Sequence, residues 1–415
     1  MEINLGDSAF ILVCSALVFV MTPGLAFFYA GMVRRKNVLN TLMSSFFICG
    51  LASVMWVLIG YSLSFGNDFH GIIGGLNFFG MVGVGAEPNA AYASNIPQLL
   101  FAAFQMMFAI ITPALITGSL VGRMKFSALF IFVALWSLLV YYPLAHMVWG
   151  DGGLIRALGA VDFAGGNVVH ISSGISGLVA CIMLGKRRGH GMMSYRPHNI
   201  PFVILGAALL WFGWFGFNAG SALGAGPLAV QAFMTTNTSA AAAMLSWMLI
   251  EKIKHGKPTI LGTATGAVVG LVAITPGAGF VPLWASIIIG IVVSPICFFF
   301  MEKVKAKFGY DDALDAFGCH GVGGIWGGIA TGLFGQTTIN SAAQWNGLFF
   351  GDVKLLIAQI MSILITIVFA SVMTFLIIKV IKLFMDIRVE SSEEADGLDV
   401  AEHGETAYPA FNGLD

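Results

Sequence analysis

Two histidines, His170 in DFAGGNVVHISSG and His320 in DAFGCHGVGG, sit inside otherwise apolar stretches, and each follows an acid, Asp162 and Asp315 respectively. Ionisable side chains are costly to hold in a hydrocarbon layer, so they are candidates for function. A neutral imidazole offers one donor and one acceptor nitrogen and can relay a proton. One such histidine is also explained as a packing residue bonded to a neighbouring carbonyl, but two at corresponding places in the chain favour a shared site. Neither has a Cys, Glu or second His at ligand spacing, which speaks against a metal centre or an intramembrane acid-base enzyme. No cofactor is expected. The other six histidines fall at interfaces, in loops or in the tail and are assigned no role.

A second group is aromatic. Phe101, Phe104 and Phe108 recur at i, i+3 and i+7, Trp149 closes the next apolar run, and Phe217 and Ser221 in WFGFNAGS close another. Trp at a headgroup boundary is ordinary belt decoration and Phe at helical spacing is ordinary packing. The functional alternative is a site for a monovalent cation: aromatic faces attract one by about 0.5 to 2 kcal/mol, and Ser221 adds a hydroxyl acceptor.

The elements that position these residues must be membrane helices. Of 415 residues, 58% are hydrophobic and 10% charged, a balance that the surface of a water-soluble domain this size does not tolerate. The 52 glycines suit helices packed backbone to backbone in lipid. Apolar windows of roughly 20 residues fall at 8-33, 41-65, 98-122, 127-148, 166-185, 199-220, 228-250, 258-275, 283-301, 317-335 and 354-378. The expected fold is an all-α integral membrane protein of eleven transmembrane helices, residues 1-385, followed by a polar cytoplasmic tail, 386-415, that holds nine of the 21 acids. The N-terminus lacks the basic residues of a signal peptide, and no signal peptide is expected. The five cysteines lie in apolar stretches without C-x-x-C spacing and read as small buried hydrophobes.

Basic residues alternate between loops. Arg34, Arg35 and Lys36 follow the first span, Arg123 and Lys125 the third, Lys186 to Arg188 and Arg196 the fifth, Lys252, Lys254 and Lys257 the seventh, Lys303, Lys305 and Lys307 the ninth, and Lys379, Lys382 and Arg388 the last. Only Arg156 and Lys354 lie opposite. By the positive-inside rule the N-terminus is outside and the C-terminus cytoplasmic, as expected for a multi-pass protein of the cell inner (plasma) membrane. Eleven spans divide into two inverted five-helix halves plus one extra helix, with a site expected at their interface. Depth counting raises a difficulty: His170 lies near the outer end of its span and His320 near the inner end of its own, so straight helices keep them apart. Gly165, Gly166 and Gly318 permit recessed helix starts that would bring the rings together.

The segments FQMMF, AHMVWGDGG, DFAGGNVVHIS, WFGFNAGSA, ITPGAGF, DAFGCHGVGGIWG and DGLDVAEHGETAY resemble, in order and over nearly the whole chain, the ammonium transporter (Amt) family. The external Trp149 and Ser221 match the Amt pattern rather than the Rhesus one. The resemblance implies a homotrimer with one pore per subunit that conducts ammonia or ammonium and binds no nucleic acid. It implies a recruitment site at Trp149, Phe108 and Ser221, with Phe104 beside it, and an entrance closed by stacked Phe108 and Phe217. It also implies a hydrogen bond between His170 and His320, an architectural role for Asp162, and places near the pore for Gln105 and Trp214. Asp151 departs from the glycines common there and would raise the local cation concentration. The tail resembles the segment through which the family meets PII-class signalling proteins. An ammonium sensor with little flux is the alternative, disfavoured by the lack of a fused output domain.

Overall fold

The computed structural model describes residues 2–192 and 195–408; the end of the expected tail, 409–415, lies outside the described residues. The chain is a helical bundle. Its helices are α1 (Leu5–Met32), α2 (Arg35–Phe65), α3 (Gln98–Leu120), α4 (Phe126–Trp136, continuing through the π turn Ser137–Tyr141 into Tyr142–Trp149), α5 (Gly166–Leu184) and α6 (Ile200–Gly220). They are followed by α7 (Pro227–His255), α8 (Ile260–Ile274), α9 (Leu283–Phe308), α10 (π turn Phe317–Gly321 continuing into Val322–Phe334) and α11 (Lys354–Phe384). Two short helices, α12 (Ser391–Asp396) and α13 (Leu398–His403), form the tail.

Among the described residues, eight helices are long and apolar enough to cross a membrane: α1 to α6, α9 and α11. Leu58, Leu249, Val368 and Leu383 stand exposed on the helix flanks, where lipid rather than water must cover them. The chain is therefore a multi-pass membrane protein. The helix α7 extends to His255, beyond the expected 250, because Glu251 turns back into the bundle and accepts from Thr259 N (2.6 Å) at the start of α8.

Small residues set the packing, as lipid-immersed interfaces require. The helices α1 and α6 run so close that a Cβ on Gly206 would meet the backbone of Gly24 and Phe28, and a Cβ on Gly31 would lie 2.8 Å from Val203 N. At Gly174 a Cβ would run into the backbone of Gly321, which fixes α5 against α10.

The tail is docked. Leu398 N donates to Asn37 Oδ1 (3.0 Å), and the Asp399 carboxylate accepts from Val38 N (3.0 Å) and Asn40 N (2.9 Å) at the start of α2. Glu402 accepts from Phe126 N (2.9 Å) at the start of α4. First-turn amides have no acceptor within their own helix, so the tail caps both helices with carboxylates on the favourable side of the dipole.

On the opposite face, a hairpin of β1 (Asp68–Phe69) and β2 (Ile73–Gly74) follows α2. It packs against the last turn of α4.

Candidate functional site

The histidines are brought together by the way α5 and α10 begin. Ahead of α5 the chain turns through Gly165, whose φ of 116° is a conformation glycine adopts without strain. The Asp162 carboxylate then receives the free amides of that start: Gly165 N (2.8 Å) and Gly166 N (2.6 Å) at Oδ1, Asn167 N (2.7 Å) and Val168 N (3.4 Å) at Oδ2. The start of α10 repeats the device with Asp312, which accepts from Ala316 N (3.1 Å), Phe317 N (2.8 Å) and Ser119 Oγ (2.7 Å). Each acid stands eight residues ahead of its histidine.

This corrects one sequence reading. Asp315 is not the counterpart of Asp162; it takes a left-handed conformation (φ 57°) and pairs with Lys305 Nζ at 2.7 Å. Asp312 is the counterpart, because a carboxylate must precede the helix start by a full loop to reach back to its amides.

Both histidines fall in the opening π turns of their helices and are buried. Their Nδ1 atoms lie 3.3 Å apart and their rings are inclined by only 17°. The separation expected of straight helices is absent, because neither helix runs straight past the other. His170 stacks on Trp214 (centroids 5.3 Å apart), whose indole donates to Thr275 Oγ1 at 2.8 Å. His170 Nε2 has no hydrogen-bond partner among the described residues.

Three spaces lie along this pair. On the Trp149 side, a cavity of about 310 Å³ is lined by Trp149, Phe108, Gln105, Ser221 and Asp162, with Phe101, Tyr92 and Arg156. On the tail side, a cavity of about 400 Å³ reaches Cys319 and His320. Between them is a constriction of about 10 Å³ walled by His170, His320, Trp214, Phe217 and apolar side chains such as Leu115 and Val268. Phe108 and Phe217, with ring centroids 4.3 Å apart, separate the first cavity from the constriction.

The remaining expected residues take definite places. Trp149 meets Phe108 edge to face at 5.9 Å and donates its indole N–H to Asp162 O at 2.9 Å. Ser221 Oγ donates to Phe217 O (2.9 Å), leaving its lone pairs for another donor. Gln105 Oε1 is buried without a hydrogen-bond partner among the described residues. Phe104 does not line the cavity; it packs behind Phe108 (5.1 Å) and against Gly220. Asp151 does not line it either, being exposed and 3.9 Å from Arg156. Sequence reasoning passed over Asp312, Tyr92 and Arg156, although the spacing of acid to histidine was a usable signal for the first.

Comparison with known proteins agrees with the fold. The sequence profile of the Ammonium Transporter Family matches residues 9–408. The ammonium transporter of Bacillus subtilis is 54% identical over 407 residues, 98% of this chain and 99% of the relative. Ammonium transporter Amt1 of Archaeoglobus fulgidus is 46% identical over 404 residues, 97% and 99% of the two chains. The crystal structure of Saccharomyces cerevisiae Mep2 superposes with a TM-score of 0.90 at 35% identity, covering 99% of this chain and 93% of that one. With the fold, the full-length match and these identities in agreement, the chain belongs to the ammonium transporter family.

Proposed function

We propose that this transporter recruits NH4+ at the cavity walled by Trp149, Phe108 and Ser221, and passes ammonia or ammonium between Phe108 and Phe217 and along His170 and His320 to the tail-side cavity. The observation that carries the reading is the His170–His320 contact at a constriction with a cavity on either side. A space of about 10 Å³ admits about one water at most and leaves no room for a hydration shell. Whatever crosses must be stripped, and the pair supplies the polar groups that meet it. If one histidine donates through Nδ1, the other accepts there, so one Nε2 carries a proton and the other is bare. The pair thus presents a donor and an acceptor to a species that can do both.

Asp162 and Asp312 hold the two helix starts, and Gln105, Trp214 and Phe104 support the walls. The topology is eleven spans, the eight long helices together with α7, α8 and α10, with the N-terminus outside and the tail in the cytoplasm of the cell inner (plasma) membrane. The alternation of basic loops supports it, and the α1–α6 and α5–α10 pairings support inverted halves. A homotrimer and a PII-class partner at the tail complete the reading, both on the family resemblance.

Currents on a supported membrane after an ammonium pulse, with sodium and potassium controls, test it. Ammonium-specific charge movement or, failing that, electroneutral uptake by proteoliposomes is expected; binding without either would make the protein a sensor.

A further inference from the structure

His146 is fully buried in the last turn of α4, one helical turn before Trp149, although its place in the sequence suggests an interfacial residue. Both of its ring nitrogens face oxygen. Nδ1 lies 3.0 Å from the carbonyl oxygen of Ser64 at the end of α2, and Nε2 lies 2.9 Å from Asp68 Oδ1 in the hairpin. A carbonyl only accepts, and so does an ionised carboxylate. Asp68 is half-exposed, takes a second donor from Gly71 N (2.7 Å), and its hydrogen bond with His146 holds its pKa below the usual carboxylate value. With two acceptors, a neutral ring would leave one nitrogen lone pair against another.

Among the described residues, none of the other titratable groups on the surrounding elements is hydrogen-bonded to His146. Tyr61 OH accepts from Gln98, and Arg156 reaches the carbonyls of Trp149 and Gly150 and the carboxylate of Asp151. Tyr142 OH lies against Gly60, His170 meets His320, and the Asp162 carboxylate is occupied by backbone amides. His70, on the hairpin, is not among the hydrogen-bond partners of Asp68, which are His146 and Gly71 N.

We infer that His146 is a buried imidazolium, paired with Asp68 and bonded to Ser64, that clamps the hairpin and the end of α2 to the turn carrying Trp149 and so makes cation capture sensitive to pH on that face. His146 is a positioning residue and touches no substrate. Its carbonyl accepts from Gly150 N (2.9 Å), and a Cβ on Gly150 would lie 2.5 Å from Nδ1, so the clamp and the backbone around Trp149 cannot move independently. Loss of the ring proton leaves one of the two oxygens without its donor and frees that turn. The effect on capture rests on the recruitment role proposed for Trp149; the charge on the ring does not.

The test uses Asp68→Asn, because an asparagine amide can donate to a bare Nε2 and keep both bonds with a neutral ring. With 15N-labelled histidine in the full-length protein in lipid, the resonance pair absent from His146→Gln identifies His146. Two protonated ring nitrogens near neutral pH in the parent and one bare nitrogen in Asp68→Asn are expected. Half-saturation, expressed as NH4+ concentration, should rise about fivefold as external pH goes from about 6 to about 8.5 in the parent and stay flat in Asp68→Asn. A bare nitrogen in the parent, or the same pH slope in both proteins, overturns the inference. Unchanged half-saturation in Trp149→Leu would instead count against the recruitment site, and the spectra would still decide the charge.

Discussion

Asp162 and Asp312 gather the free amides at the starts of α5 and α10, each from eight residues ahead of the histidine it places. The His170–His320 contact is built from the backbone outward: two anionic caps fix two helix starts, and the helix starts fix two rings.

The first prediction follows from the Asp162 cap. Asp162→Ala removes the acceptor of four amides at the start of α5, a loss of about 2 to 5 kcal/mol in stability. Asp162→Asn, with one acceptor oxygen left, should fall between. Thermal unfolding in detergent measures both; an alanine variant as stable as the parent would show that the helix start needs no anion.

Selectivity is the second. Ammonium and potassium are monovalent cations of nearly the same size, so size cannot separate them, but ammonium can lose a proton. A narrow apolar passage penalises an intact cation far more than neutral NH3. On the proposed reading, His170→Asp or His320→Glu puts a fixed negative charge there, so potassium currents appear and ammonium specificity falls. His170→Ala or His320→Ala lowers ammonium flux without loss of assembly. Folded acidic variants that exclude potassium as well as the parent would move the filter to Phe108 and Phe217.

For the Trp149 cavity, Trp149→Leu or Ser221→Ala should raise half-saturation by roughly fivefold, the equivalent of about 1 kcal/mol. Maximal flux should persist, since neither residue walls the constriction. Half-saturation unchanged in both would reduce the cluster to an interfacial belt.

Acid stability gives a prediction with a definite sign. Burial alone would raise the Asp311 carboxyl, but its hydrogen bonds with Arg187 (2.7 and 2.9 Å) and the charges of Arg187 and Arg123 hold it well below its ordinary value. A depressed carboxyl contributes its full stability above the unfolded value of about 3.9 and loses it as pH falls through the lower folded value. Asp311→Asn should therefore be destabilised by about 3 to 5 kcal/mol near neutrality, and the gap to the parent should close only in strong acid. Melting curves against pH check this; a gap that closes already near pH 6 would contradict it.

The fifth concerns the tail. Truncation after Arg388 removes Asp399 and Glu402, which should lower the melting temperature as the α2 and α4 caps are lost and abolish binding of a PII-class partner. If pull-down from the native host recovers the same PII protein with the truncated form, the docking surface lies in the loops.

Much of this was legible in the sequence. Hydropathy located the eight long membrane-crossing helices, because lipid imposes length and apolarity together, but not the short tail helices α12 and α13; the histidines and Trp149, Phe108 and Ser221 stood out as polar or aromatic groups at segment ends. Depth was not legible, because periodicity along a helix says nothing of where that helix starts, and the histidine contact depends on recessed starts at Gly165 and Ala316. In the sequence Asp315 stands out by its nearness to His320, whereas the cap depends on loop reach and falls to Asp312. Phe104 shares a spacing with Phe101 and Phe108, yet its ring fills the space over Gly220. His146 was set aside because burial of a segment end depends on what folds over it, here a hairpin almost 80 residues upstream.

The docked tail also orders events in biosynthesis. The carboxylate that completes the start of α2 lies 361 residues after Val38, so α2 and α4 leave the translation machinery with their first turns open and keep them open until the last segment emerges. A chain cut short by premature termination is thereby marked at its tail-side face by two uncapped helix starts.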